Sequence, residues 1–279
     1  MSPLPFKTWG KPTSETPIYF AHANAYPPDS YQPIIDALAE QRQVVSYLQR
    51  PLWQPTPALD SIDSWWDFAD DVIQFFDENN MKNVVAVGHS MGAVTAFMAA
   101  QKRPDLIKAL VMIEPVALSW FACWLTRVFP KTVKARVNII AKALGRPNRF
   151  ESKQAAFDFH RKPRAFKRIS DENLMHYINA GVTQQGDEYH LTYPREWEAR
   201  VYATATYFRG QLLKSKLPVL AMRGGYSDTI SADFWKKWQQ NTNHQFVAFE
   251  DCGHLLPLEN PEAVIAEILP FVEKHLRTL

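Results

Sequence analysis

Apolar residues along the chain follow two alternating rhythms. Short, nearly continuous apolar runs occur at Ile18-Tyr19-Phe20-Ala21, Val44 to Leu48, Val84-Val85-Ala86-Val87, Ala109 to Ile113, Leu217 to Met222 and Gln245 to Phe249. Runs of this kind predict strands buried on both faces. Amphipathic stretches lie between them: Tyr31 to Glu40, Asp60 to Asn79, Met91 to Gln101 and Pro261 to Leu276. In the second of these, Trp65, Phe68, Val72 and Phe75/Phe76 recur at helical spacing, and Ser61 is the expected cap. Pro261 suits the first turn of the last helix. Strands alternating with helices require crossover connections. The expected fold class is therefore α/β: a mostly parallel twisted sheet flanked by helices.

The rhythm breaks after Glu114 and returns near Leu217. Between them lie helical-looking, aromatic and basic segments such as SWFACWLTRVF, KARVNIIAKAL, QAAFDFHRKPRAFKRI and NLMHYINAG. This predicts one sheet domain, residues 1–116 and 214–279, interrupted by a helical insertion over 117–213.

Composition changes little in this picture. The chain has 279 residues, 46% hydrophobic and 22% charged, enough for a substantial core. Its 31 basic and 29 acidic residues leave a formal charge of +2, which gives no basis for nucleic acid as a partner. Cys123 and Cys252 form neither a disulfide framework nor a metal spacing, so no metal site is expected. MSPLPFKTWG lacks the pattern of a secretory signal, and Glu114, Pro115 and Arg127 break the longest apolar stretch, Ala109 to Phe129. A cytoplasmic protein without stable membrane insertion is expected, and a homodimer is left open.

The candidate chemistry starts at Gly88-His89-Ser90-Met91-Gly92, a G-x-S-x-G segment between a predicted strand and helix. A serine nucleophile there needs a sharp, strained turn where flanking side chains would clash, and the following helix aims free N–H groups at a developing oxyanion. His89 adjoins the serine but should point away from it, as a structural residue. The chain order for such a site is serine, acid, histidine. His254, in Asp251-Cys252-Gly253-His254, follows a strand on a glycine-bearing loop and is the expected general base. Asp228, in Arg223-Gly224-Gly225-Tyr226-Ser227-Asp228, is the favoured acid; Glu114, ending an earlier strand, is its rival, and Asp251 a weaker third. The oxyanion donors are expected from the N–H groups of Met91 and Asn24, with Ala23 next and His22 bracing the loop.

The segments AHANAYPP, GHSMG, RGGYSD and CGHLLPLENPE, in this order, resemble the α/β-hydrolase superfamily, in particular esterase-like members with a helical lid. The resemblance covers roughly residues 15 to 116 and 214 to 279. It implies an α/β-hydrolase fold and a serine hydrolase without a cofactor, cleaving a small or medium hydrophobic carboxylic ester through an acyl-enzyme. An amide, thioester, lactone or carbon–carbon bond, or perhydrolysis, would use the same triad. A non-catalytic ligand-binding member would be expected to lack a triad residue, whereas candidates for all three are present. The usual His-Gly of the oxyanion loop is His22-Ala23 here. Relatives that open epoxides or displace halides carry Asp as nucleophile, which Ser90 argues against. In the insertion, Trp120, Phe121, Trp124, Phe129, Phe157, Phe159, Phe166, Tyr177, Tyr202, Tyr207 and Phe208 are expected mostly to pack the lid, with some lining an apolar pocket over Ser90. SWFACWLTRVF can also be read as an interfacial lid helix, and Arg161-Lys162-Arg164-Lys167-Arg168 as a solvated basic face.

Overall fold

Buried strands need helices on both sides, and the computed structural model, which describes residues 3–128 and 137–277, supplies them. The strands of the main sheet are β1 (Phe6–Trp9), β2 (Ile18–Ala21), β3 (Val44–Tyr47), β4 (Val84–His89), β5 (Ile107–Ile113), β9 (Val219–Gly224) and β10 (His244–Phe249). Their order is β1-β3-β2-β4-β5-β9-β10. All neighbours run parallel except β1, which pairs antiparallel with β3. The chain is a mostly parallel sheet flanked by helices, the α/β-hydrolase fold.

Alternation along each strand sorts side chains into two cores. Tyr19, Ala86, Met112 and Ala221 join one core with α2 (Trp65–Glu78) and α3 (Met91–Lys102). Phe20, Val87, Val111 and Met222 join the other with α1 (Gln32–Gln41) and the C-terminal helix Pro261–Arg277. Truncating one of the fully buried aromatics, such as Phe76, would cost about 3–5 kcal/mol.

Three expectations are corrected. The cap of α2 is Ser64: the helix starts at Trp65, and Ser64 and Asp67 form a capping box, while Ser61 ends a short 3-10 turn. The edge strand β1 was not anticipated. Residues 117–213 are also not purely helical. Beside helices such as α4 (Trp120–Val128), Asn138–Leu144, Lys153–Arg161, Asp171–Gly181 and Arg195–Ala203, they contain β6 (Arg149–Phe150), β7 (Val182–Gln185) and β8 (Glu188–Leu191). These three form a small antiparallel sheet in the order β6-β8-β7. The helix Arg209–Lys214 runs across the expected boundary at 213/214.

Two long side chains stitch this segment to the sheet domain. Trp65 donates its indole N–H to Val201 O (2.9 Å), and the Arg200 guanidinium donates to Leu59 O (3.1 Å). Among the described residues, no helix is long and apolar enough to cross a membrane.

Candidate active site

In open parallel sheets, functional groups collect beyond the carboxyl ends of the strands. Loops after β2, β4, β5, β9 and β10 meet there. The backbone is strained at the same end: among the described residues, five non-glycine residues have positive φ, and Ala25 (64°), Ser90 (55°) and Glu114 (46°) are three of them. Such conformations cost on the order of 1–3 kcal/mol each and persist only where the surroundings enforce them.

The turn at Ser90 is enforced by close packing. A Cβ on Gly88 would lie 2.7 Å from the Ala93 Cα, and one on Gly92 would lie 2.2 Å from the Ala21 carbonyl oxygen. Both glycines of the motif are therefore steric requirements. Ser90 N–H donates to Ile113 O (2.9 Å), and the side chain stands at the start of α3, in reach of His254.

The His254 Nε2 lies 3.0 Å from the Ser90 Oγ. On the other side of the ring, Nδ1 lies 3.3 Å from Glu114 Oε2 and 3.3 Å from Thr229 Oγ1. A carboxylate can only accept, so Nδ1 carries the proton and Nε2 is left to accept from Ser90. Glu114 is fully buried at the end of β5. Its carboxylate also accepts from Gly224 N–H (2.5 Å), the Ser227 hydroxyl (2.7 Å) and the Thr229 hydroxyl (2.9 Å).

Asp228 does not reach the imidazole. It is exposed on the turn after β9 and lines the cavity, but among the described residues no hydrogen bond or ion pair joins it to His254. The carboxylate beside Nδ1 is that of Glu114, the rival candidate, which follows the neighbouring strand β5. The loop after β9 instead contributes the donors that hold the Glu114 carboxylate. Asp251 lies exposed, before the His254 turn.

Met91 is the first residue of α3, so its N–H is among the amides without an intrahelical acceptor. Across the cavity, Ala23 N–H approaches the Tyr31 hydroxyl (3.4 Å) and Tyr26 N–H donates to Ala23 O (3.2 Å). No hydrogen bond engages the Asn24 backbone N–H among the described residues. The Asn24 side chain donates to Glu198 O (3.1 Å). His22 donates from Nδ1 to Ala23 O (3.0 Å) and accepts the Gln49 N–H (3.3 Å) at Nε2, while Gln49 Nε2 donates back to His22 O (2.6 Å). Burial pushes the His22 pKa down to about 4, so the ring is neutral at pH 7.

One connection was not foreseen. The Tyr31 hydroxyl lies 2.8 Å from His89 Nδ1, and His89 Nε2 lies 2.9 Å from His254 O. Only an N–H can face a carbonyl, so Nε2 carries the proton and Tyr31 donates to Nδ1. Burial holds His89 well below its usual pKa, in keeping with this neutral tautomer. The loops after β2, β4 and β10 are thus joined through Tyr31 and His89.

A cavity of about 580 Å³ opens over Ser90, walled mostly by apolar side chains. From 117–213 it is lined by residues including Leu118, Ala122, Val137, Ile139, Ile140, Ala165 and Tyr202. Of the aromatics expected there, only Tyr202 is a wall residue among the described residues. Phe166, Tyr177 and Phe208 are buried in packing, Phe157 and Phe159 pack against the core, and Trp120, Phe121 and Trp124 are exposed. Phe129 lies outside the described residues.

Residues 16–261 match the family described as alpha/beta hydrolase fold, and the chain belongs to it. A soluble epoxide hydrolase of Corynebacterium sp. (strain C12) is 27% identical over 255 residues, covering 85% of this chain and 83% of that protein. A provisionally assigned esterase/lipase of Haemophilus influenzae is 24% identical over 211 residues, covering 74% and 66%. Among solved structures, E-2-(acetamidomethylene)succinate hydrolase superposes with a TM-score of 0.76 at 20% identity, covering 97% of this chain and 95% of its own.

Proposed function

We propose that the protein is a serine hydrolase that cleaves hydrophobic carboxylic esters, with Ser90 as nucleophile, His254 as general base and acid, and Glu114 as the orienting carboxylate. The observation that carries this is the continuous Ser90–His254–Glu114 hydrogen-bonded array at the floor of an apolar cavity. Ser90 Oγ attacks the acyl carbon as its proton passes to His254 Nε2. Glu114 stabilises the imidazolium that forms. The N–H groups of Met91 and Asn24 face the oxyanion. Collapse breaks the ester C–O bond, the alcohol leaves with the proton from His254, and water then hydrolyses the acyl-Ser90 by the same sequence. Residues 117–213 act as the cap that supplies the apolar walls.

The epoxide hydrolase relative raises a second reading, which chemistry disfavours. A carboxylate that opens an epoxide becomes an ester, and water can cleave that ester at its carbonyl. Ser90 opening the same ring would become an ether, with no carbonyl for water to attack, and the enzyme would stop after one event.

The test is hydrolysis of p-nitrophenyl esters of increasing acyl length by the wild type and Ser90→Ala in parallel, with fluorophosphonate labelling. Turnover and labelling by the wild type alone are expected, with activity of the variant lower by about 10⁵ or more. Absence of both turnover and labelling in the wild type would overturn the reading. Labelling without ester turnover would keep the nucleophile and move the scissile bond to an amide, thioester, lactone or carbon–carbon bond.

A further inference from the structure

We propose that the rim of the cavity is a docking face for an anionic lipid bilayer. Nine large hydrophobic residues are exposed among the described ones, and six of them, Trp120, Phe121, Trp124, Val137, Ile139 and Leu144, fall in one stretch of the chain. Scattered singly, such residues need no explanation; concentrated beside a pocket mouth they mark an interaction surface. Trp120 and Phe121 each stack on Trp124, with ring centroids 6.2 and 6.1 Å apart, so the three form one aromatic plate facing outward. The plate is continuous with the cavity, because Ala122 of the same helix and Val137 and Ile139 of the next segment line it.

Charge selects the occupant. No Asp or Glu occurs from Pro115 to Phe150, and Lys142 on this stretch is exposed. Another part of the wall is Ala165, itself exposed and flanked by exposed Lys162, Arg164 and Lys167. Lipid headgroups of negative charge attract such bases, while indole and phenyl rings are favoured at the level just beneath them. A second copy of this chain would have to set these like charges against one another. Peripheral adsorption of this kind needs no membrane-spanning helix. An apolar ester would then pass from the bilayer into the cavity, a consequence that depends on the ester reading, whereas the docking itself does not.

The experiment is co-sedimentation of the full-length Ser90→Ala protein with vesicles of phosphatidylcholine containing ~30% phosphatidylglycerol and with pure phosphatidylcholine vesicles. Partition onto the anionic vesicles is expected to exceed that onto neutral ones by about tenfold or more, and to fall about tenfold in W120S/F121S/W124S. Retained p-nitrophenyl acetate turnover in the triple variant on the wild-type Ser90 background, or an unchanged thermal melt if that ester is not a substrate, shows that the variant is folded. Should the triple variant misfold, R164E/K167E gives the same reading, with an expected loss of about tenfold. The proposal is overturned by equal binding to neutral vesicles, by undiminished binding of the folded variants, or by no vesicle binding at all. A dimer in solution that the triple variant dissolves, with no vesicle binding, would assign the face to a second copy. Because binding is read without turnover, its failure is separable from failure of the ester reading.

Discussion

Two carboxylates stand within one loop's reach of His254, and their surroundings differ in every respect. Glu114 is fully buried, held in a left-handed backbone conformation and bonded to a backbone N–H, two hydroxyls and the imidazole. Asp228 is exposed, at a turn, with no partner among the described residues. A carboxylate in water is free to turn and is screened, whereas one enclosed by four donors has a fixed direction and keeps its charge facing the imidazole. For finding the carboxylate that faces the imidazole, the supply of donors is therefore a better guide than which strand it follows.

The sharpest way to break this comparison is Glu114→Gln. It removes the charge and leaves an amide that can present N–H to the ring and force the wrong tautomer, so kcat should fall on the order of 10³–10⁴. If it falls less than tenfold, the acid lies elsewhere. An intermediate loss is expected for Ser227→Ala combined with Thr229→Val. This keeps the carboxylate and removes two of its donors, and steady-state kinetics should show kcat lower by about 10–100-fold with KM little changed. Asp228→Asn should be the mildest, within about twofold of wild-type kcat/KM on a neutral ester. A large loss there with a modest one in Glu114→Gln would reverse the assignment.

Much of the sheet domain was legible because its strands are apolar on both faces and its helices amphipathic. The turn that carries Ser90 was legible for a steric reason, since only glycine fits at 88 and 92. What escaped was structure without apolar rhythm. β1 is Phe-Lys-Thr-Trp on an open edge, largely exposed, so neither face carries a burial signal. β7 and β8 are polar and partly exposed, and hydrophobic periodicity is silent there. The two-residue Gly186-Asp187 connection, with Gly186 at φ 63°, was the available hairpin signal. Ser64-x-x-Asp67, three residues beyond Ser61, was a readable capping pattern. Glu114 could not be chosen over Asp228 from chain order, because both lie between the serine and the histidine. The roles of Tyr31, Ser227 and Thr229 depend on loops from different strands meeting, which no local pattern reports.

The Tyr31–His89 connection has an implication for how such a protein can change. Its anchors lie after β2, at the end of β4 and on the loop after β10, so the alignment of Ser90, His254 and the Ala23 loop is maintained within the sheet domain. Eight of the nineteen residues that line the cavity come from 117–213, and the Asn24–Glu198 bond ties that segment to the loop after β2. Replacing that segment alters what the cavity admits while the reacting groups keep their spacing. Selection can thus explore substrates through one part of the chain without repeatedly rebuilding the chemistry in the other.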